Sequence, residues 1–223
     1  IYGTIKGYKV NRETGDKISG ALFGLFRADE TSFTENNALL TAESGEDGVF
    51  TFENVVYGSY TVRELRPAAG YLENETVYAV TVDEDGDVVE ITVVNDLIPE
   101  IGTTATIDEE KEVCATEVFT LTDTVEYKHL VPGKEYTVKG ILMDRATGEP
   151  FLQNGEQITS EVTFVPKAPS GSVEVLFTFD AKLIKTDTNI VVFESLYSDS
   201  KELTVHADIK DDEQTVTVIV PEI

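Results

Sequence analysis

Short apolar runs, most of them alternating with polar residues, follow one another along the chain at intervals of about ten residues. Strands are predicted over residues 1–10, 21–26, 48–52, 59–65, 77–82 and 88–94, with turn residues between them such as the RETGDK segment at 12–17. After DLIPEIG at 96–102, where Pro99 forbids an interior strand and Gly102 permits a bend, a second series begins. It runs over 118–121, 125–127, 136–143, 158–165, 173–179, 190–196, 203–206 and 215–220. No stretch sustains an apolar period of 3.6 residues, so no long helix is expected. The rhythm is that of antiparallel all-β sandwiches.

Composition narrows the choice of function. With 223 residues, 41% of them hydrophobic, the chain can bury one large core or two ordinary ones. A formal net charge of −25 repels phosphate backbones and anionic bilayers, which argues against nucleic-acid binding and membrane-surface binding. The acidity is even: up to and including Glu100 there are 7 basic and 19 acidic residues out of totals of 17 and 42, which leaves 10 and 23 for the rest. Such a spread suits a solvated surface better than one acidic binding site. No run of 18 apolar residues occurs, and IYGTIKGYKV lacks the parts of a signal peptide, so a soluble, mature fragment without membrane insertion is expected. Cys114 is the sole cysteine, which leaves no intramolecular disulfide and no thiolate metal cluster.

Lys9 lies between Tyr8 and Val10, and pattern alone places it neither inside nor on a solvated edge. The succession GYKVNRETGDKISGALFGLF, GEDGVFTFENVVYGSYTVRELRPAAGY and VVEITVVND resembles the B-type repeat domain of collagen-binding adhesins and of SpaA-type pilins from Gram-positive bacteria, over about residues 1–97. The resemblance implies a lysine on the first strand and an asparagine on the last that join spontaneously as an isopeptide bond, assisted by a glutamate on a central strand. The matching positions are Lys9, Asn95 and Glu64. A desolvated lysine loses its proton and becomes a nucleophile, and a buried carboxylic acid can hydrogen-bond the amide carbonyl and shuttle protons as ammonia leaves. LRPAAGY departs from the family's more usual Lys-Ala-Pro before Gly-Tyr, a change in the turn and not at the three reactive positions.

The second half holds both histidines, His129 and His206. His129, in YKHLVPGKEY, reads as a turn residue. His206 is followed at two, five and eight residues by Asp208, Asp211 and Gln214, a spacing that a metal would fill only poorly. GTTATID, TDTVEYKHLVPGKEYTVKG, EVTFVPKAPSGSVEVLFTFD and IVVFESLY instead resemble VaFE-repeat domains, over about residues 98–223. The resemblance implies an intramolecular ester between a threonine on the first strand and a glutamine on the last, here Thr103 and Gln214, with Asp123, Glu194 and His206 assisting. A hydroxyl attacking a carboxamide needs a base and an acid. His206 is the natural shuttle, and a buried acid pair keeps one proton to stabilise the oxyanion. Thr104 and Thr106 are the competing nucleophiles, since adjacent strand residues face opposite ways.

The DEDGD segment at 83–87 reads as a hairpin tip, Cys114 as a small core or strand residue, and NET at Asn74 as a glycosylation acceptor only in a eukaryote. The expectation is therefore two tandem immunoglobulin-like β-sandwich domains, 1–97 and 98–223, forming a stalk module of a Gram-positive surface adhesin or pilin. It would be extracellular and wall-anchored, with no cofactor, no metal and no enzymatic turnover. It would be monomeric, with neighbouring repeat domains of the same polypeptide and, through a distal tip, a host ligand as partners. The competing expectation is a ligand-binding adhesin module contacting host protein or glycan.

Overall fold

The computed structural model describes residues 1–222, and the chain divides into two compact units, Ile1–Ile98 and the remainder from Pro99. The first contains β1 (Tyr2–Asn11), β2 (Leu22–Arg27), β3 (Leu40–Glu43), β4 (Val49–Val56), β5 (Gly58–Arg66), β6 (Tyr78–Val82) and β7 (Val88–Asn95). They form two sheets in the orders β4-β1-β7 and β3-β2-β5-β6, with β1 and β7 parallel and the other pairs antiparallel. Ile5, Phe23, Leu25, Phe50, Phe52, Val62, Val82 and Val93 fill the space between the sheets.

The remainder contains β8 (Glu100–Ile107), β9 (Glu112–Cys114), β10 (Val118–Lys128), β11 (Tyr136–Asp144), β12 (Leu152–Gln153), β13 (Glu156–Gln157), β14 (Thr159–Phe164), β15 (Gly171–Asp180), β16 (Thr188–Ser198), β17 (Lys201–His206) and β18 (Thr215–Ile219). One sheet has the order β15-β10-β8. The other runs β14-β11-β16-β18-β9, with β17 also paired to β16, and β12 and β13 make a small ribbon. Leu121, Val125, Val138, Leu142, Phe177, Val192 and Val216 lie at its centre. Both units are all-β sandwiches. Among the described residues no helix is long and apolar enough to cross a membrane.

Several boundaries depart from the sequence pattern, each for a physical reason. The predicted strands 118–121 and 125–127 are one strand, β10, because Asp123 occupies an inward position between Leu121 and Val125 and breaks the apolar run without breaking the alternation of burial. The short edge strands β3 and β9 carry mixed polar residues and gave no periodic signal. Residues 83–87 are not a hairpin tip: β6 and β7 belong to different sheets, so the turn crosses the sandwich. Cys114 is exposed on β9, a strand residue outside the core.

Close packing fixes Gly7 as glycine. The Phe50 ring stacks on Phe23 with centroids 3.7 Å apart and fills the site where a side chain on Gly7 would stand; a Cβ there would be 1.9 Å from the ring. Gly7→Ala is therefore expected to destabilise the first unit by about 1–3 kcal/mol through overpacking, read as a lower urea midpoint with an unchanged slope. An unchanged midpoint would show that the ring stack can shift.

Candidate functional site

Along β1 the odd-numbered residues Gly3, Ile5, Gly7, Lys9 and Asn11 face the core, so Lys9 is an interior residue and Tyr8 and Val10 are its outward neighbours. The parallel pairing sets Asn11 opposite Asn95 and Lys9 opposite Val93, which leaves Lys9 and Asn95 on the same face two positions apart. A lysine side chain spans that diagonal. Glu64 enters from β5 in the facing sheet. All three are at most 1% exposed.

The Lys9 ammonium donates to Asn95 Oδ1 and lies 3.3 Å from Glu64 Oε1, with the Phe23 ring centroid 5.7 Å away. Asn95 Nδ2 donates to both Glu64 oxygens at 3.0 Å and to the Leu72 carbonyl at 3.0 Å. Glu64 Oε2 also accepts the Asn74 backbone N–H at 2.8 Å. Glu64 thus meets the carboxamide through its nitrogen and not, as the sequence reading expected, through its carbonyl. Burial pulls the Lys9 pKa down to about 8, with the Glu64 carboxylate pulling it back up.

In the other sandwich the structure brings Thr103, Asp123, Glu194 and Gln214 together, none more than 7% exposed. Thr103 and Asp123 come from the neighbouring strands β8 and β10, and Glu194 from β16 in the facing sheet. Gln214 immediately precedes β18. Its segment is wedged between the sheets, with Ala105 N–H donating to Glu213 O at 2.9 Å and Val192 N–H to Gln214 O at 3.1 Å. Gln214 Nε2 donates to Thr103 Oγ1 at 2.7 Å and to Glu194 Oε2 at 2.8 Å. Thr104 is exposed and Thr106 half-buried on the other face of β8.

Neither Asp123 oxygen, nor Glu194 Oε1, nor Gln214 Oε1 has a hydrogen-bond partner when both acids are ionised. A proton held by the acid pair supplies one donor, between Asp123 and Glu194. Burial raises both carboxyl pKa values, and in Glu194 the adjacent Asp123 raises it further, so the pair retains that proton at neutral pH.

His206 makes its hydrogen bonds outside the Thr103–Gln214 pair. Its Nδ1 faces the Ile101 carbonyl at 3.2 Å and its Nε2 faces Asp211 Oδ2 at 2.9 Å, so its hydrogen bonds go to neither Thr103 nor Gln214. Asp211, in the sequence only a candidate metal ligand, is held below the usual carboxylate range by that contact. The spacing of five residues from His206 was the available signal. Asp208 accepts the Lys210 backbone N–H, and among the described residues no cluster of three or more His, Cys, Asp or Glu side chains is arranged for a metal ion. His129 sits in a bend after β10 with φ of 63°.

A two-domain all-β protein with a carboxamide, a nucleophile and acid groups buried together in each sandwich is the class that fold and site define. Residues 99–218 match the model of the T-Q ester bond containing domain, more than half of the chain, and the chain belongs to that family. Residues 3–97 match the SpaA prealbumin-like fold domain. Among solved structures, the major pilin subunit of Bacillus cereus aligns with a TM-score of 0.56 at 16% identity, over 99% of this chain and 69% of that one, a likeness of fold. A bacterial adhesin from Mobiluncus mulieris containing intramolecular disulfide, isopeptide and ester bond cross-links aligns with a TM-score of 0.48 at 20% identity, over 55% of this chain. The aligned part spans 57% of that adhesin's length. No curated protein matches.

The lowered Lys9 pKa has a measurable sign. In Asn95→Ala the amine and the acid remain, and the folded state gives up its proton at about 8 where the unfolded chain holds it to 10.5. Stability is then expected to rise as pH climbs through that window and to be lost as pH falls through about 8. Urea midpoints of Asn95→Ala compared with Lys9→Met, Asn95→Ala check this; parallel profiles would place Lys9 in contact with water.

Proposed function

We propose that the chain is a structural stalk module of a Gram-positive cell-surface adhesin or pilin, with each sandwich closed by a spontaneous intramolecular cross-link. The bonds are an isopeptide from Lys9 to Asn95 and an ester from Thr103 to Gln214. The observation that carries the reading is that in both units a nucleophile, a carboxamide and an acid converge in a buried core, a place suited to a reaction that runs once. The module would be extracellular and wall-anchored, in series with neighbouring repeat domains that hold a distal ligand-binding tip away from the cell.

In the isopeptide step the neutral Lys9 amine attacks Asn95 Cγ. The C–N bond to Nδ2 breaks, and Nδ2 leaves as ammonia with a proton from the amine relayed by Glu64, which already holds that nitrogen. In the ester step Thr103 Oγ1 attacks Gln214 Cδ. Its proton passes through the Asp123–Glu194 pair to Nε2, which leaves as ammonia from its position against Glu194. The proton on the acid pair stabilises the oxyanion. His206 and Asp211 support the segment that presents Gln214. Exclusion of water keeps the ester from being hydrolysed.

Each bond expels one ammonia, so the intact mass is expected to fall below the sequence mass by about 17 Da per bond, about 34 Da in all. Lys9→Ala or Asn95→Ala restores the first loss alone, and Thr103→Ala or Gln214→Ala the second alone. A wild-type mass equal to the sequence value would overturn both bonds.

The bonded residues are 86 and 111 positions apart, so each bond closes a loop that adds on the order of 4–5 kcal/mol by chain entropy, less any strain. Under end-to-end tension the chain inside each loop is shielded. Pulling the wild type is expected to give almost no unfolding length, whereas Asn95→Ala, Gln214→Ala extends by about 3.3–3.6 Å per released residue. Full extension of a chain whose mass shows both losses would refute the load-bypass role.

A further inference from the structure

The segment from Asp208 to Gln214 carries four acids, Asp208, Asp211, Asp212 and Glu213, immediately before the glutamine that must meet Thr103. Like charges so close repel and would splay the segment away from the acidic pair inside. Two cations hold it. Arg145, which directly follows β11, donates from Nη1 to Asp212 Oδ1 at 2.8 Å and from Nη2 to the Lys210 carbonyl at 3.0 Å. Lys111, just before β9, donates to the Glu213 carbonyl at 2.5 Å and reaches the Asp212 carbonyl at 3.5 Å.

Both cations are themselves anchored. The Arg145 backbone N–H bonds Asn189 O at 2.9 Å, and Thr217 N–H of β18 bonds Lys111 O at 2.7 Å. Thr215 Oγ1 donates to Asp211 O at 2.6 Å. With Ala105 on Glu213 and Val192 on Gln214, every carbonyl from Lys210 to Gln214 has a donor, and the Lys210 carbonyl takes its donor from Arg145. A segment pinned at each carbonyl cannot slide along the cleft.

We propose that Arg145 and Lys111 are positioning residues for ester formation: by clamping the acidic segment 208–213 they hold the Gln214 carboxamide at attack distance from Thr103. The clamp touches no reacting atom. Its leverage comes from geometry, since a displacement of about 1 Å in a reacting group can slow a step by about a hundredfold. The inference rests on the ester reading given above.

The test follows the second 17-Da loss (about that value per ammonia) over time after cell-free synthesis of the full chain. Arg145→Ala and Lys111→Met are each expected to slow it at least about tenfold. Arg145→Lys, which keeps the charge and loses the fork, is expected to fall between Arg145→Ala and wild type. Folding is read separately in a Thr103→Ala background, where no ester forms: the clamp variants are expected to give the same folded fraction at 25 °C (about room temperature) as Thr103→Ala alone. Wild-type rates in folded Arg145→Ala and Lys111→Met overturn the clamp. If Arg145→Ala fails to fold, wild-type rates in Arg145→Lys and Lys111→Met overturn it equally. Absence of the second loss from the wild-type chain overturns the ester itself, and the clamp with it.

Discussion

Desolvation between two sheets is the constraint on which the rest of this molecule depends. Burial takes away the solvation that favours a charged group, so an amine is pushed towards losing its proton and a carboxyl towards keeping one, and breaking up a buried charge pair costs about 3–5 kcal/mol. In the first unit that pressure falls on Lys9, and in the second on the Asp123–Glu194 pair. Neither set exists until the sandwich closes, because Glu64 and Glu194 arrive from the sheet opposite their nucleophiles. On the proposed chemistry, folding and reaction are thereby tied: the groups would become reactive in the same event that removes them from solvent.

The two units meet the constraint differently because their nucleophiles differ. An amine needs only to lose a proton, and burial against Phe23 favours that loss, with one acid placed at the Asn95 amide nitrogen. A hydroxyl is a poor nucleophile even when dry, and on the proposed chemistry the second unit answers this with two acids sharing one proton, of which Glu194 is bonded to the Gln214 nitrogen. On the proposed chemistry the product also removes the cost of burying the Lys9 charge. Lys9 ends as part of a neutral amide, and the most demanding buried charge in the first core disappears.

The all-β class, most strands and the position of the break near Pro99 were legible from alternation and turn residues, since burial in a sheet repeats every second residue. Legibility failed where a polar group occupies an inward position. Lys9 is flanked by the more hydrophobic Tyr8 and Val10, yet parity from Ile5 puts it inside, and Asp123 split one strand into two apparent ones. The polar residues buried together in each core could be named from family motifs because the proposed covalent chemistry restricts residue type tightly. Their contacts could not. That Glu64 holds the amide nitrogen, that His206 turns to Asp211 and that Arg145 and Lys111 brace the segment before Gln214 depend on side-chain directions and on pairs far apart in sequence, which no local pattern encodes.

The parallel pairing of β1 with β7 has a mechanical consequence of its own. Lys9 and Asn95 both lie toward the C-terminal ends of their strands, so tension entering at the first residues runs along β1 to Lys9 and, with the bond in place, leaves at once through Asn95. Residues 1–8 lie outside the closed loop, but most of them already form strand at a rise of about 3.3–3.4 Å per residue, close to the limit of a stretched chain. Tearing them from β4 and β7 would therefore yield little length, and the ladders on both sides would resist in shear. In the second unit the residues after Gln214 are likewise strand, β18, hydrogen-bonded to β16 and β9. The slack that a stretched protein ordinarily gives up lies in its turns and in the reversals of its sheets, and in both units those are enclosed between the two residues that the bond would join.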